Sequence, residues 1–123
     1  MELFISDLDG TLLNGNAEVT EFTRDTLNRL MAKGLNFTAA TARTLASVGK
    51  ILSGLDLKLP VILMNGVLIY DMAEKKYVKI NSLSRELCGL IIGLSKGLGL
   101  EPLCTRFQIT SFPQDMRGLF HLQ

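Results

Sequence analysis

Three short apolar runs, at residues 3–5, 35–40 and 61–64, alternate with two stretches of helical periodicity within the first 66 residues. No other feature limits the possible folds as strongly. Each run has the length of a buried strand, and each intervening stretch is long enough for a crossover helix. Strands joined by such crossovers lie parallel and are connected with a right hand. The sequence therefore predicts an α/β fold built on a parallel sheet. Thr20 is placed to cap the first helix, with Phe22, Thr26, Leu27, Leu30 and Met31 as its apolar stripe and Lys33-Gly34 closing it. The second helix is expected over 44–55, with Leu45, Val48, Leu52 and Leu55 on one face.

In sheets of this kind ligands bind beyond the carboxyl ends of the strands. Here the three exits carry Asp7 and Asp9, then Thr41 to Arg43, then Asn65 and Gly66, so three polar clusters meet at one edge. The first exit says most about chemistry. Two carboxylates at the end of a buried strand are disfavoured by burial and by each other's charge. A hard cation such as Mg²⁺, shared with a phosphate, relieves both effects. At a strand's period of two, Asp7 and Asp9 point to the same side. One can attack a phosphorus atom as a nucleophile while the other handles a proton. Gly10 supplies the turn that ends the strand. As residues alone, Arg43 suits a helix-start surface position as well as an anion contact. Asn65-Gly66 suits a plain turn as well as a polar ligand.

Charge and composition exclude several alternatives. With 123 residues, 13 basic and 12 acidic, the chain has a net charge of +1, which leaves no electrostatic footprint for nucleic acid. No apolar run approaches the ~20 residues of a membrane span. The N-terminus lacks the basic start of a signal peptide, and Cys88 and Cys104 form no metal-type spacing, so a cytoplasmic protein with free thiols is expected. His121 is the only histidine, which excludes His-based zinc sites and disfavours Ser-His or Cys-His catalysis.

After Gly66 the pattern changes. Residues 67–71 and 77–83 read as two strands around a loop at 72–76. Ser84 can cap a helix carrying Leu87, Leu90, Ile91, Leu94 and Leu98, ended by Gly97 and Gly99. Residues 102–112 read as another strand, and 114–123 give no clear element. The expected division is a partial core domain over 1–66 and a partial α+β cap segment over 67–123.

The segments LFISDLDGTLL at 3–13, FTAATAR at 37–43 and PVILMNGVLIYD at 60–71 resemble, in order and spacing, the haloacid dehalogenase superfamily, and within it the Cof-type sugar-phosphatase branch. The resemblance implies a Rossmann-like parallel three-layer core, here partial, followed by the start of an α+β cap. It implies Asp7 as nucleophile and Asp9 as general acid and base. Mg²⁺ would be held by the Asp7 carboxylate and the Asp9 backbone carbonyl. Gly10, Thr41, Ala42, Arg43 and Asn65 would contact a small phosphorylated substrate such as a sugar phosphate, with Thr41 hydrogen-bonding the transferring phosphoryl group. Phosphotransfer to a second substrate, or phosphate binding without chemistry, are the alternatives.

Two departures from the family pattern stand out. Thr41-Ala42-Arg43 replaces the usual Thr-Gly-Arg, so Ala42 adds a methyl where the backbone approaches phosphate. The later lysine and acidic motif have no counterpart in this sequence; Lys79, Lys96 and Asp115 are not in matching contexts. A truncated form with weak or no activity alone is therefore expected. Without the later strand that flanks it in the family, the first strand would be an open apolar edge, and self-association through that edge is expected.

Overall fold

β1 (Leu3–Ser6) and β2 (Asn36–Ala39) pair in parallel, Leu3 opposite Asn36 and Ser6 opposite Ala39. They are joined by α1 (Glu21–Ala32) in a computed structural model that describes residues 2–102. β2 leads through α2 (Leu45–Leu52) to β3 (Val61–Leu63), which meets the end of β2 in a parallel bridge between Ala40 and Ile62. The spatial order β1-β2-β3 is thus the chain order. With the right hand usual for such crossovers, two connections running the same way are expected to put both helices on one face of the sheet. Asn28 of α1 ties the two crossovers together: its side chain donates to the Gly54 carbonyl (2.9 Å) and accepts from the Asp56 N–H (2.9 Å). The parallel α/β core expected from the sequence is what the chain forms.

β4 (Leu68–Asp71) turns back to pair antiparallel with β3, and β5 (Lys76–Ile80) pairs antiparallel with β4. The expected division after Gly66 follows the exit of the third strand, whereas sheet pairing carries the first compact unit on through β5 to Asn81. The second unit begins at Ser82. Its described element is α3 (Arg85–Gly97), capped by Ser84, whose hydroxyl accepts from the Leu87 N–H at 3.2 Å. The strand expected from Pro102 onward, Cys104, Asp115 and His121 lie outside the described residues, Pro102 itself excepted.

Leu8, Val48, Leu52, Val61, Leu63 and Leu68 are completely buried or nearly so and form the centre of the first unit. Leu3, Phe4 and Ile5 have the composition of a buried strand, but they are 56%, 49% and 50% exposed, in keeping with the open apolar edge expected of the first strand. The reason is topological: among the described residues β1 has a partner on one edge only, and the other edge is open. One sequence expectation is corrected: Phe22, expected in the apolar stripe of α1, is 80% exposed. Phe22 and Met31 are nine residues apart, so at about 100° per residue they sit on roughly opposite sides of the helix. Met31 is the buried member, with Leu27 half-buried on the same side. The Thr20 cap is as expected, its hydroxyl accepting from the Thr23 N–H at 3.2 Å.

Met31→Ala should destabilise the fold by about 2–5 kcal/mol through lost burial and the cavity left behind. Phe22→Ala should stay within about 0.5 kcal/mol of the parent, as for an exposed site. Urea unfolding followed by circular dichroism separates the two; equal losses would show that α1 is rotated from the orientation described.

Candidate active site

Each strand exit contributes one wall of a cleft of about 370 Å³, lined by Asp7, Asp9, Ala40, Thr41, Ala42, Ile62, Asn65 and Gly66. β1 stops at Ser6, so the two aspartates do not share a side through strand pleating, as their spacing suggested. Asp7 stands at the strand end, and Asp9 sits inside a tight turn over Leu8–Leu12 closed by a Leu13 N–H to Leu8 carbonyl bond of 2.9 Å. That turn wraps around the buried Leu8 side chain and brings both carboxylates to the cleft. Gly10 takes φ +74° in the turn, a conformation that a side chain disfavours. Its place is therefore in shaping the turn. It is not among the residues that line the cleft.

Asp7 accepts a 2.7 Å hydrogen bond on Oδ1 from the Leu8 N–H. Asp9 is held differently. Arg43 reaches it with two parallel bonds, Nε to Oδ2 at 2.8 Å and Nη2 to Oδ1 at 2.5 Å. This fork-to-carboxylate geometry is the strongest ordinary form of side-chain ion pair. It holds the Asp9 carboxyl below its usual range, chiefly through the hydrogen bonds from Arg43, and Asp9 in turn raises Arg43. Arg43 thus answers the question its sequence position left open: it is neither a free surface residue nor a lining residue of the cleft, and its partner is Asp9.

Thr41 is almost fully buried, and its hydroxyl oxygen accepts from the Arg43 N–H at 3.1 Å. Thr41 also lines the cleft. Ala42 is not in a left-handed conformation, so its methyl is compatible with the loop's backbone. At the third exit, Met64, Asn65 and Gly66 form a single tight turn with φ of +50°, +54° and +90°. Asn tolerates that region and Gly prefers it, but Met64 is placed there at a cost of about 1–2 kcal/mol. Backbone bonds hold it: Met64 N–H to the Arg43 carbonyl and Asn65 N–H to the Thr41 carbonyl, both 3.1 Å. Asn65 is exposed and lines the cleft.

Of the sequence-predicted residues, then, Asp7, Asp9, Thr41, Ala42 and Asn65 meet at one cleft, with Arg43 behind Asp9 and Gly10 in the turn beneath. Gly66 lines it beside Asn65, and so do Ala40 and Ile62, which the sequence does not single out as site residues. Ala40 and Ile62 are the bridge pair between β2 and β3, a contact that only the register of the sheet reveals.

The sequence pattern of the haloacid dehalogenase-like hydrolases matches residues 4–112. The chain is 37% identical over 94 residues to the MG265 protein of Mycoplasma genitalium, covering 75% of this chain and 34% of that one. It is 34% identical over 77 residues to the phosphatase YwpJ of Bacillus subtilis, covering 63% of this chain and 27% of the relative. Among solved structures, a haloacid dehalogenase-like hydrolase from B. subtilis superposes with a TM-score of 0.66 at 27% identity, over 80% of this chain and 34% of that one. The chain spans about a third of the length of the relatives it matches.

Arg43→Gln removes the charge and one arm of the fork. The Asp9 carboxyl should then titrate closer to the ordinary carboxylate range, moving upward, in a ¹³C NMR titration of the side-chain carboxyl. An Asp9 titration identical to the parent's would show that the ion pair does not persist in solution.

Proposed function

The chain belongs to the haloacid dehalogenase-like hydrolases, and from that premise we propose that its cleft serves the cleavage of small phosphate monoesters, sugar phosphates among them, through an aspartyl-phosphate on Asp7. The observation that carries this reading is the convergence of Asp7, Asp9, Thr41 and Asn65 on one cleft at the carboxyl ends of a parallel sheet. Asp7 is the nucleophile: its carboxylate oxygen attacks phosphorus and the ester oxygen leaves. Asp9 protonates that oxygen, then takes a proton from the water that hydrolyses the intermediate. Thr41 donates its hydroxyl proton to a phosphoryl oxygen, and Asn65 offers its carboxamide to the substrate. Positioned donors of this kind stabilise the spread charge of phosphoryl transfer.

Arg43 has a part in this scheme that follows from its fork. Paired with Arg43, Asp9 is favoured in its charged form, the form that acts as base. Proton donation to the leaving group calls for Arg43 to shift toward the phosphoryl oxygens, which match its planar donors as well as a carboxylate does. The same pair is the observation that favours the rival reading, a phosphate-binding module without turnover, because it occupies the acid/base carboxylate.

The donor chemistry fits Mg²⁺. Asp7 places a carboxylate in the cleft with one oxygen bonded to the Leu8 N–H, and the Asp9 carboxylate is engaged by Arg43, which leaves its backbone carbonyl for a cation. Among the described residues no three Asp, Glu, His or Cys side chains gather around a point. Mg²⁺ commonly takes one or two carboxylates and completes its shell with waters and substrate phosphate, so Asp7 and Asp9 suit it. When bound, it supplies charge neutralisation at the phosphoryl oxygens.

In this reading the parallel-sheet residues up to Gly66 carry the chemistry, and residues 67–123 open the part that selects substrate. No helix among the described residues is long and apolar enough to cross a membrane. A cytoplasmic setting is the one in which Cys88 and Cys104 would be free thiols. The open β1 edge, flanked by half-exposed Leu3, Phe4 and Ile5, supports pairing between two copies of the chain.

Hydrolysis of p-nitrophenyl phosphate with Mg²⁺ tests the activity. Asp7→Asn should reduce turnover to background, and Asp9→Asn should lower it by about 10²–10⁴-fold, the usual worth of a general acid/base. Phosphate binding without Asp7-dependent turnover would establish the rival reading. Sedimentation velocity should show a dimer that dissociates on dilution; a clean monomer at high concentration would exclude pairing through β1.

A further inference from the structure

We infer that Asn81 is a positioning residue for the cleft: its side chain locks the left-handed Met64-Asn65-Gly66 turn in the shape that presents Asn65 to a bound phosphate ester. The inference deepens the phosphate-ester reading above and rests on it for the ligand.

The turn needs holding from both sides. Three consecutive residues take positive φ, and Met64 at +50° is the one with no local reason to do so. On its N-terminal side the turn is held by the bonds from Met64 and Asn65 to the Arg43 and Thr41 carbonyls. On its C-terminal side, Asn81 provides two bonds. Its Nδ2 donates to the Gly66 carbonyl at 2.9 Å, and its backbone N–H donates to the Val67 carbonyl at 2.7 Å. The register explains why this residue can do both. Leu68 stands opposite Ile80 at the end of the β4–β5 ladder, so Asn81 falls beside Val67, one step beyond. There its short carboxamide reaches across to the residue before Val67.

The two bonds are separable. The backbone bond survives any side-chain substitution except proline, so the ladder end is preserved. The side-chain bond needs a donor at this length. Aspartate has the same shape but sets an acceptor against the Gly66 carbonyl, and alanine has no polar group. Gly66 and Asn65 line the cleft, and Asn81 does not, so its action on a ligand passes through the turn. Asn81 is also the last residue of the first unit, so the chain departs toward Ser82 from the residue that holds the turn.

The experiment uses the full chain labelled with ¹⁵N, comparing the parent with Asn81→Asp, Asn81→Ala and Asn81→Gln. Amide exchange at Met64 and Asn65 should rise by about tenfold or more in Asn81→Asp and Asn81→Ala, while Leu63 and Leu68 in the β3–β4 ladder keep their protection. Inorganic phosphate, titrated with Mg²⁺ present and followed at the Thr41 and Asn65 amides, should bind about 3- to 10-fold more weakly, the size expected for one neutral hydrogen bond. Asn81→Gln keeps the donor on a longer stem and should recover part of both effects, which a general loss of stability would not produce. Unchanged exchange at Met64 and Asn65 would overturn the inference, and so would raised exchange with unchanged phosphate affinity. If phosphate perturbs neither amide in the parent, the phosphate-ester reading fails, and the exchange contrast still decides whether Asn81 holds the turn.

Discussion

The cleft depends on a short seam of backbone hydrogen bonds that continues the β2–β3 contact beyond the strands. Thr41 N–H bonds to the Ile62 carbonyl, Met64 N–H to the Arg43 carbonyl and Asn65 N–H to the Thr41 carbonyl. Parallel strands usually diverge once the ladder ends, and their loops then move independently. Here the loops remain zipped for several residues. The zipping requires the left-handed conformation at Met64 and Asn65, because an extended chain would carry their N–H groups away from the β2 exit. Backbone strain at one exit is thus exchanged for a fixed spacing between Thr41 and Asn65. A strained residue beside a cleft is a common sign of function, and the strain is tolerable only where neighbours determine the conformation, as they do here.

The same seam places Arg43. Its carbonyl is fixed by Met64 and its N–H by the Thr41 hydroxyl, so its side chain starts from a defined point and reaches Asp9 across the cleft rim. Asp9 is more than half exposed, and an exposed pair contributes little to folding stability. The value of the fork lies in orientation. A lone carboxylate on a turn samples many directions, whereas two parallel bonds to a planar guanidinium set both its plane and its heading. A lysine at position 43 would keep the charge and lose that constraint.

How much of this was legible in the sequence varies with the range of the interaction. The α/β order, the Thr20 and Ser84 caps and the polar strand exits depend on local pattern, and they appear in the chain as read. The exposure of Phe22 was also available from the sequence, since the helical angle between Phe22 and Met31 contradicts a shared stripe. The half-exposure of Leu3, Phe4 and Ile5 is not available from composition, which reports only that a strand can be buried, but it accords with the open edge expected from the family pattern, whose later flanking strand has no counterpart in this sequence. At the site, Asp7 and Asp9 were visible as a pair, but the reason for their meeting was misassigned to strand pleating. Residue spacing cannot distinguish a continuing strand from a turn that happens to return two side chains to one side. Ala40 and Ile62 were missed because an apolar lining residue differs from a core residue only through register. The Arg43–Asp9 fork spans 34 positions and has no sequence signature at all.

The open edge of β1 bears on the chemistry as well as on association. Asp7 follows directly from the strand whose outer edge lacks a partner among the described residues. A strand pinned on one side can bend and twist more freely than one pinned on both, and the carboxylate at its end moves with it. Asp9 is protected from that freedom by its link to Arg43 beyond the β2 exit, whereas the Asp7 carboxylate is bonded to its own neighbour, Leu8. The two aspartates therefore stand on unequal footing: the proposed acid/base is anchored to the β2 exit, and the proposed nucleophile is only as well placed as β1 itself. Anything that pairs with the open edge, whether a second copy or another strand, would stiffen β1 and fix Asp7 against Thr41 and Asn65.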